Sequence, residues 1–77
     1  MEISLYVLPE GGEARVNSLH IGVALRRRLS DFGLVEGTKI LCLRSAALSG
    51  MGLYRVRGTM LALRKADCAM IRVELCD

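Results

Sequence analysis

The residues best suited to hold a metal ion are one histidine and three cysteines: His20, Cys42, Cys68 and Cys76. Three cysteines with one histidine are a known structural zinc combination. Such sites normally include a short chelating pair, in which two ligands close in sequence are held together. Here all four residues stand singly. The spacing therefore predicts two buried thiols, a near-terminal cysteine and a surface histidine, with no metal site.

The same histidine is also the one candidate for a general base. Nucleophilic catalysis by serine needs a histidine beside the hydroxyl group and an acid that orients the histidine. No motif marks Ser18 or Ser30 as a nucleophile, and no pair of carboxylates stands in an apolar setting that would separate acid and base roles. The sequence therefore predicts no catalytic residues and no enzymatic activity.

Two glycine-containing segments match phosphate-binding motifs only in part. Residues 50–52 (GMG) begin like the dinucleotide fingerprint, but Arg55 occupies the position of its third glycine. Residues 37–39 (GTK) carry the letters of a P-loop in the wrong order. We therefore expect no cofactor and no small-molecule substrate.

Arginine dominates the basic residues and is densest at residues 26–28. The chain carries 11 Lys and Arg against 8 Asp and Glu, for a net charge of +3. Nucleic-acid binding usually adds a broader basic stripe or stacking aromatic rings. The aromatic residues are Tyr6, Phe32 and Tyr54, and Phe32 is assigned below to a buried helix face. The pattern argues against direct nucleic-acid binding, whereas arginine suits an acidic or phosphate-bearing partner.

The elements that position these residues are predicted from hydrophobic periodicity. Ile21, Leu25, Leu29 and Phe32 form one apolar stripe of a helix over residues 21–32, and Gly33 follows as a left-handed C-cap. The predicted strands cover residues 13–19, 38–45, 53–57, 59–63 and 70–75, with a loop over 46–52 and one helical turn over 64–69. These elements predict a single domain over residues 1–77. It is mostly β, a small SH3-like barrel of about five strands with one helix between the first two.

Exposed apolar and basic side chains on these elements predict a partner-binding surface. The helix face opposite the stripe holds Val23, Arg26 and Arg27, and the loop over 46–52 gives Leu48 and Met51 no core role. No apolar run approaches the roughly 18 residues that span a bilayer, and Glu2 stands where a signal peptide needs positive charge. An odd cysteine count is also atypical of a secreted disulfide framework. We expect a cytoplasmic protein.

Four stretches, in order and spacing, resemble the FeoA family of bacterial ferrous-iron transport. They are residues 8–11 with 14–16, residues 25–29 with 32–34, residues 37–40, and residues 56–58 with 62–64 and 71–73. The resemblance covers residues 4–73. The family's central loop usually reads Ala-Pro-Leu-Gly-Asp-Pro, whereas residues 46–51 (AALSGM) lack both prolines and the acid.

The resemblance implies an SH3-like domain that binds or regulates FeoB, the membrane ferrous-iron transporter with a cytoplasmic GTPase domain. It would meet the membrane only through that partner. The same fold occurs as the C-terminal domain of DtxR-type metal-dependent repressors, so an interaction module of such a regulator is the alternative. A direct iron-carrying metallochaperone is the third reading, and the dispersed cysteines and histidine weaken it.

Overall fold

The computed structural model describes residues 1–76, whose strands form one antiparallel sheet. The strands are β1 (Glu2–Ser4), β2 (Glu13–Leu19), β3 (Lys39–Arg44), β4 (Met51–Val56), β5 (Thr59–Arg64) and β6 (Ile71–Leu75). The helices are α1 (Val23–Asp31), α2 (Ala46–Ser49) and α3 (Lys65–Cys68), and a 3-10 turn covers Leu5–Val7. The strand order across the sheet is β1-β6-β2-β3-β4-β5, so β1 and β5 are its edges and the sheet stays open.

The predicted mostly β, SH3-like class is confirmed, with three differences in detail. The sheet stays open, whereas a barrel was predicted. The described sheet has six strands because the opening residues add β1, where Ile3 pairs with Val73 of β6. The main helix therefore follows the second strand of the sheet and not the first. Within residues 1–76, no helix has the length and apolar character needed to cross a membrane.

Alternating side chains on five strands supply most of the core. The buried members are Ala14 and Val16, Ile40 and Cys42, Tyr54 and Val56, Leu61 and Leu63, and Ile71 and Val73. This period of two is what a sheet with one buried face requires. A β-bulge between Val16 and Ser18 shifts the register by one residue, which turns Leu19 back into the core.

The end of α1 is fixed by the predicted glycine cap. Gly33 has φ of +88°, its N–H donates to Ser30 O at 2.9 Å, and the N–H of Leu34 donates to Leu29 O at 2.9 Å. This is a Schellman motif, and Leu34 packs back into the core. The assignment of Phe32 to the buried stripe is wrong. Phe32 is the C-cap residue and 46% exposed, because the helical periodicity ends before it.

Residues 46–49, predicted as loop, form the short helix α2. Ser45 caps it by accepting a hydrogen bond from the N–H of Ala47 at 3.1 Å, and Gly50 ends it in the left-handed conformation. Buried Ala46 holds the turn against the core, and β4 begins at Met51. The turn predicted over 64–69 is confirmed as α3.

Candidate partner-binding surface

The outer face of α1 carries three of the predicted partner-binding residues, in two different settings. Val23 lies in the first turn with 75% of its surface exposed, and Arg27 is also exposed. Arg26 turns back toward the sheet, where its Nη2 donates to the carbonyl oxygen of Leu19 at 2.5 Å. Arg26 therefore has a structural role in addition to its exposure, whereas Val23 and Arg27 are presented to solvent.

The helical wheel places Arg28 at the edge of the buried stripe and predicts a partner for its guanidinium. The structure corrects this expectation. Arg28 lines a shallow groove beside Leu25 and Leu29, but within residues 1–76 its guanidinium forms no hydrogen bond or ion pair. The anchoring arginine of α1 is Arg26, because its side chain reaches the carbonyl oxygen of Leu19 at the end of β2.

The second predicted pair lies at the junction of α2 and β4. Leu48 is 99% exposed and Met51 is half-exposed. The junction is ordered by Ser49, whose hydroxyl donates to Met51 O at 2.7 Å. On its other side, the N–H of Lys65 donates to Gly50 O at 2.8 Å. Leu48 is therefore an exposed apolar side chain on a turn that is ordered by hydrogen bonds.

The five predicted residues lie on two separate elements. Val23, Arg26 and Arg27 share α1, whereas Leu48 and Met51 belong to the α2–β4 junction. The nearest described link is Arg64, whose Cα is the register partner of Met51 and whose side chain lines the groove beside Arg28. The structure thus provides two exposed patches, separated by the end of β5.

One histidine–serine pair is formed on the surface. Ser18 Oγ lies 3.0 Å from His20 Nε2, and His20 is exposed. Among the described residues, no carboxylate lies within hydrogen-bonding distance of the imidazole, so the third member of a catalytic triad is missing. Sequence reasoning considered both residues separately and did not predict that they touch.

The cysteines divide into a buried pair, Cys42 and Cys68, which both act on the pKa of Tyr54, and Cys76, which follows the end of β6. Cys42 and Cys68 are fully buried as predicted, and Cys76 is partly buried. Burial raises the pKa of the Cys42 thiol, with the charge of Glu10 adding to the effect, and burial likewise raises the pKa of Cys68. Neutral thiols are poor metal ligands. No three His, Cys, Asp or Glu side chains within residues 1–76 gather closely enough to hold a metal ion.

The sequence prediction missed a basic groove on the outer face of β2, β3 and β4. Its charged lining residues are Glu13, Arg15, Lys39, Arg55 and Arg57. They are spread over more than half of the chain and form no motif. Only the strand register brings them together, with Arg15 opposite Lys39 and Leu41 opposite both Glu13 and Arg55.

This chain is a small SH3-like domain. Its features are an open antiparallel sheet, a capped helix and two exposed patches. A family model for the FeoA domain matches residues 3–75. The chain belongs to the FeoA family, the accessory domains of ferrous-iron transport.

Solved structures agree with this assignment. The FeoA protein of Chlorobium tepidum is 35% identical, with a TM-score of 0.90 over 97% of this chain and 71% of that one. The zinc complex of FeoA from Stenotrophomonas maltophilia, a prokaryotic SH3 domain protein, is 28% identical, with a TM-score of 0.79 over 94% of this chain and 89% of that one.

The fold is shared with metal-dependent regulators. A manganese-dependent transcriptional repressor superimposes with a TM-score of 0.85 over 97% of this chain and 42% of the repressor. At 14% identity this likeness concerns the fold alone. No curated protein matches the chain in sequence.

Proposed function

We propose that this chain is a cytoplasmic accessory protein that binds or regulates a FeoB-type membrane GTPase transporter. The observation that carries the proposal is membership of the FeoA family over residues 3–75. The relative from Stenotrophomonas maltophilia has been put forward as a ferrous iron transport activating factor, which supports the same role here.

The proposed contact surface is the outer face of α1 together with the α2–β4 junction. Val23 and Leu48 are exposed apolar side chains, and Arg27 lies one turn from Val23 on the same helix. Exposed apolar side chains beside an arginine are typical of protein interfaces, where both types contribute strongly to affinity. Arg26 lies at the margin, because one of its donors is already used by Leu19.

The proposed role requires no catalysis by the chain itself. The exposed Ser18–His20 pair lacks an orienting acid among the described residues, and the two buried thiols are held neutral. We therefore assign transport chemistry and GTP hydrolysis to the partner, with no small-molecule substrate or nucleic acid bound here and membrane contact only through the transporter.

An interaction module of a metal-dependent repressor is the alternative, because a manganese-dependent transcriptional repressor contains the same fold. Copurification distinguishes the two. The tagged chain should be retained by membranes that contain a FeoB-type transporter and not by membranes that lack it. Retention by a winged-helix regulator, with none by the transporter membranes, would replace the proposed role by the alternative.

A further inference from the structure

The basic groove on the outer face of the sheet has no role in the proposed interface. It has a volume of about 470 Å³ and runs across β2, β3 and β4, with Leu41 in its floor. It is lined by Glu13, Arg15, Gly37, Thr38, Lys39, Leu41, Arg55, Arg57 and Gly58. We call it the cationic groove.

The cationic groove accounts for the whole net charge of the protein. Its lining contains four basic side chains and one carboxylate, a net charge of +3. The chain as a whole is also +3, from 11 basic and 8 acidic residues, so the other seven of each sign cancel. A positive field concentrated in one concavity favours an anionic partner there.

Within residues 1–76, two of the four cations have neither an ion pair nor a hydrogen bond from their side chains. Lys39 Nζ lies 3.6 Å from Glu13 Oε2, and Arg15 Nη1 donates to Gly37 O at 3.2 Å. Arg55 and Arg57, by contrast, form no ion pair or side-chain hydrogen bond with the described residues. Their guanidinium groups are planar donors suited to bidentate contact with a carboxylate.

Arg57 is held in the groove at a conformational cost. Arg57 and Gly58 both have positive φ, 48° and 80°, and form the two-residue turn between the paired residues Val56 and Thr59. Such turns favour Asn or Gly at the first position, so arginine is an unfavourable choice for the backbone. Its stem also lies against the backbone of Gly33, where an added Cβ would meet Arg57 Cδ at 2.5 Å. An arginine kept at a strained position is consistent with a binding role.

We propose that the cationic groove docks an acidic segment of a partner protein, whose carboxylates bind Arg55 and Arg57. Leu41 supplies an apolar floor for the stems of acidic side chains. The lining has no aromatic ring on which a base would stack. The charges line a concavity that also contains Glu13, which suits an inserted chain better than a flat anionic membrane. The proposal stands independently of the transporter interface on α1.

An acetylated oligoglutamate peptide tests the proposal on the full chain. Titration at low salt should shift the NMR amide signals of residues 37–41 and 55–58, and added salt should reverse the shifts. Arg55→Glu should weaken binding about tenfold or more, the loss expected when a charge-assisted hydrogen bond is removed. Arg28→Glu is the matched control, because it changes the net charge equally at an exposed arginine of α1 outside the proposed interface, and it should leave the affinity within about twofold.

A second variant separates binding from folding. Arg57→Asn suits the left-handed turn better, so it should unfold at the same or a higher urea concentration while binding the peptide more weakly. Signal shifts outside the groove, or equal losses with Arg28→Glu and Arg55→Glu, would overturn the proposal.

Two competing probes are used separately. One is an anionic vesicle that contains phosphatidylserine, and the other is a single-stranded RNA. Tighter, Arg55-dependent binding of either one than of the peptide would overturn the proposal in favour of a membrane or an RNA. If the vesicle and the RNA both bind more weakly than the peptide, or bind independently of Arg55, the result supports docking of an acidic protein segment.

Discussion

The guanidinium of Arg26 donates a hydrogen bond to the carbonyl oxygen of Leu19 and so ties α1 to the end of β2. The donor is charged and the contact is partly shielded from water. We expect Arg26→Ala to lower the free energy of unfolding by about 1–2 kcal/mol, which a urea midpoint would measure. Arg27→Ala removes an exposed side chain of the same type and should change the midpoint by no more than a few tenths of a kcal/mol. Equal destabilisation by the two variants would contradict the placement of Arg26.

Gly52 of β4 lies directly beneath the phenol of Tyr54. A Cβ added at Gly52 would meet Tyr54 Oη at 2.4 Å, and Tyr54 is fully buried, so its ring has no room to withdraw. We expect Gly52→Ala to cost about 1–3 kcal/mol through overpacking. Gly22→Ala is the control, because no atom lies within 4 Å of the added group there. If Gly52→Ala is as stable as the unaltered chain, the close contact described between Gly52 and Tyr54 is wrong.

Buried acidic protons make the fold sensitive to alkaline pH. Burial raises the pKa values of Cys42, Cys68 and Tyr54, and the Tyr54 hydroxyl lies 3.5 Å from Cys68 Sγ. Above about pH 8.5, the unfolded chain releases thiol protons that the folded chain keeps. The contribution of the neutral thiols to the free energy of unfolding is therefore fully present below that pH and is lost as the pH rises above it. Urea midpoints from pH 7 to 10 should show the decline, and Cys76→Ser, which alters the partly buried cysteine, should show the same decline. A flat profile would contradict neutral buried thiols.

Leu48 should be dispensable for folding. With 99% of its surface in water, Leu48→Ser removes no core contact and should leave the unfolding midpoint unchanged within about 0.5 kcal/mol. Ala46→Asp on the same helix is the contrast, because it buries an unpaired charge and should cost about 2 kcal/mol or more. A large loss with Leu48→Ser would indicate that this side chain caps the core.

Local signals in the sequence predicted the α1 region well, because helix caps and stripes depend on neighbouring residues. Gly33 and Leu34 form the expected Schellman motif. The predicted helix was too long at both ends: Ile21 lies before α1, which begins at Val23, and Phe32 lies one residue past its end. The missed helix α2 also had a local signal, since Ser45 and Gly50 cap its two ends.

Features that depend on distant strands were not predictable in the same way. β1 has three residues and exists because Ile3 pairs with Val73 at the other end of the chain. The partner of Arg26 is a strand carbonyl, and a helical wheel contains no information about strands. The cationic groove depends on strand register alone, which places Arg15 beside Lys39 and Leu41 beside Arg55.

The most direct test of the proposed function is the affinity of the chain for a purified FeoB-type transporter in detergent, measured by calorimetric titration. We predict saturable binding that Arg27→Glu weakens about tenfold or more while its urea midpoint stays unchanged, because Arg27 is exposed and away from the core. Normal binding by Arg27→Glu would remove the outer face of α1 from the interface. No heat of binding for the unaltered chain, with the transporter folded and active, would contradict the proposed function itself.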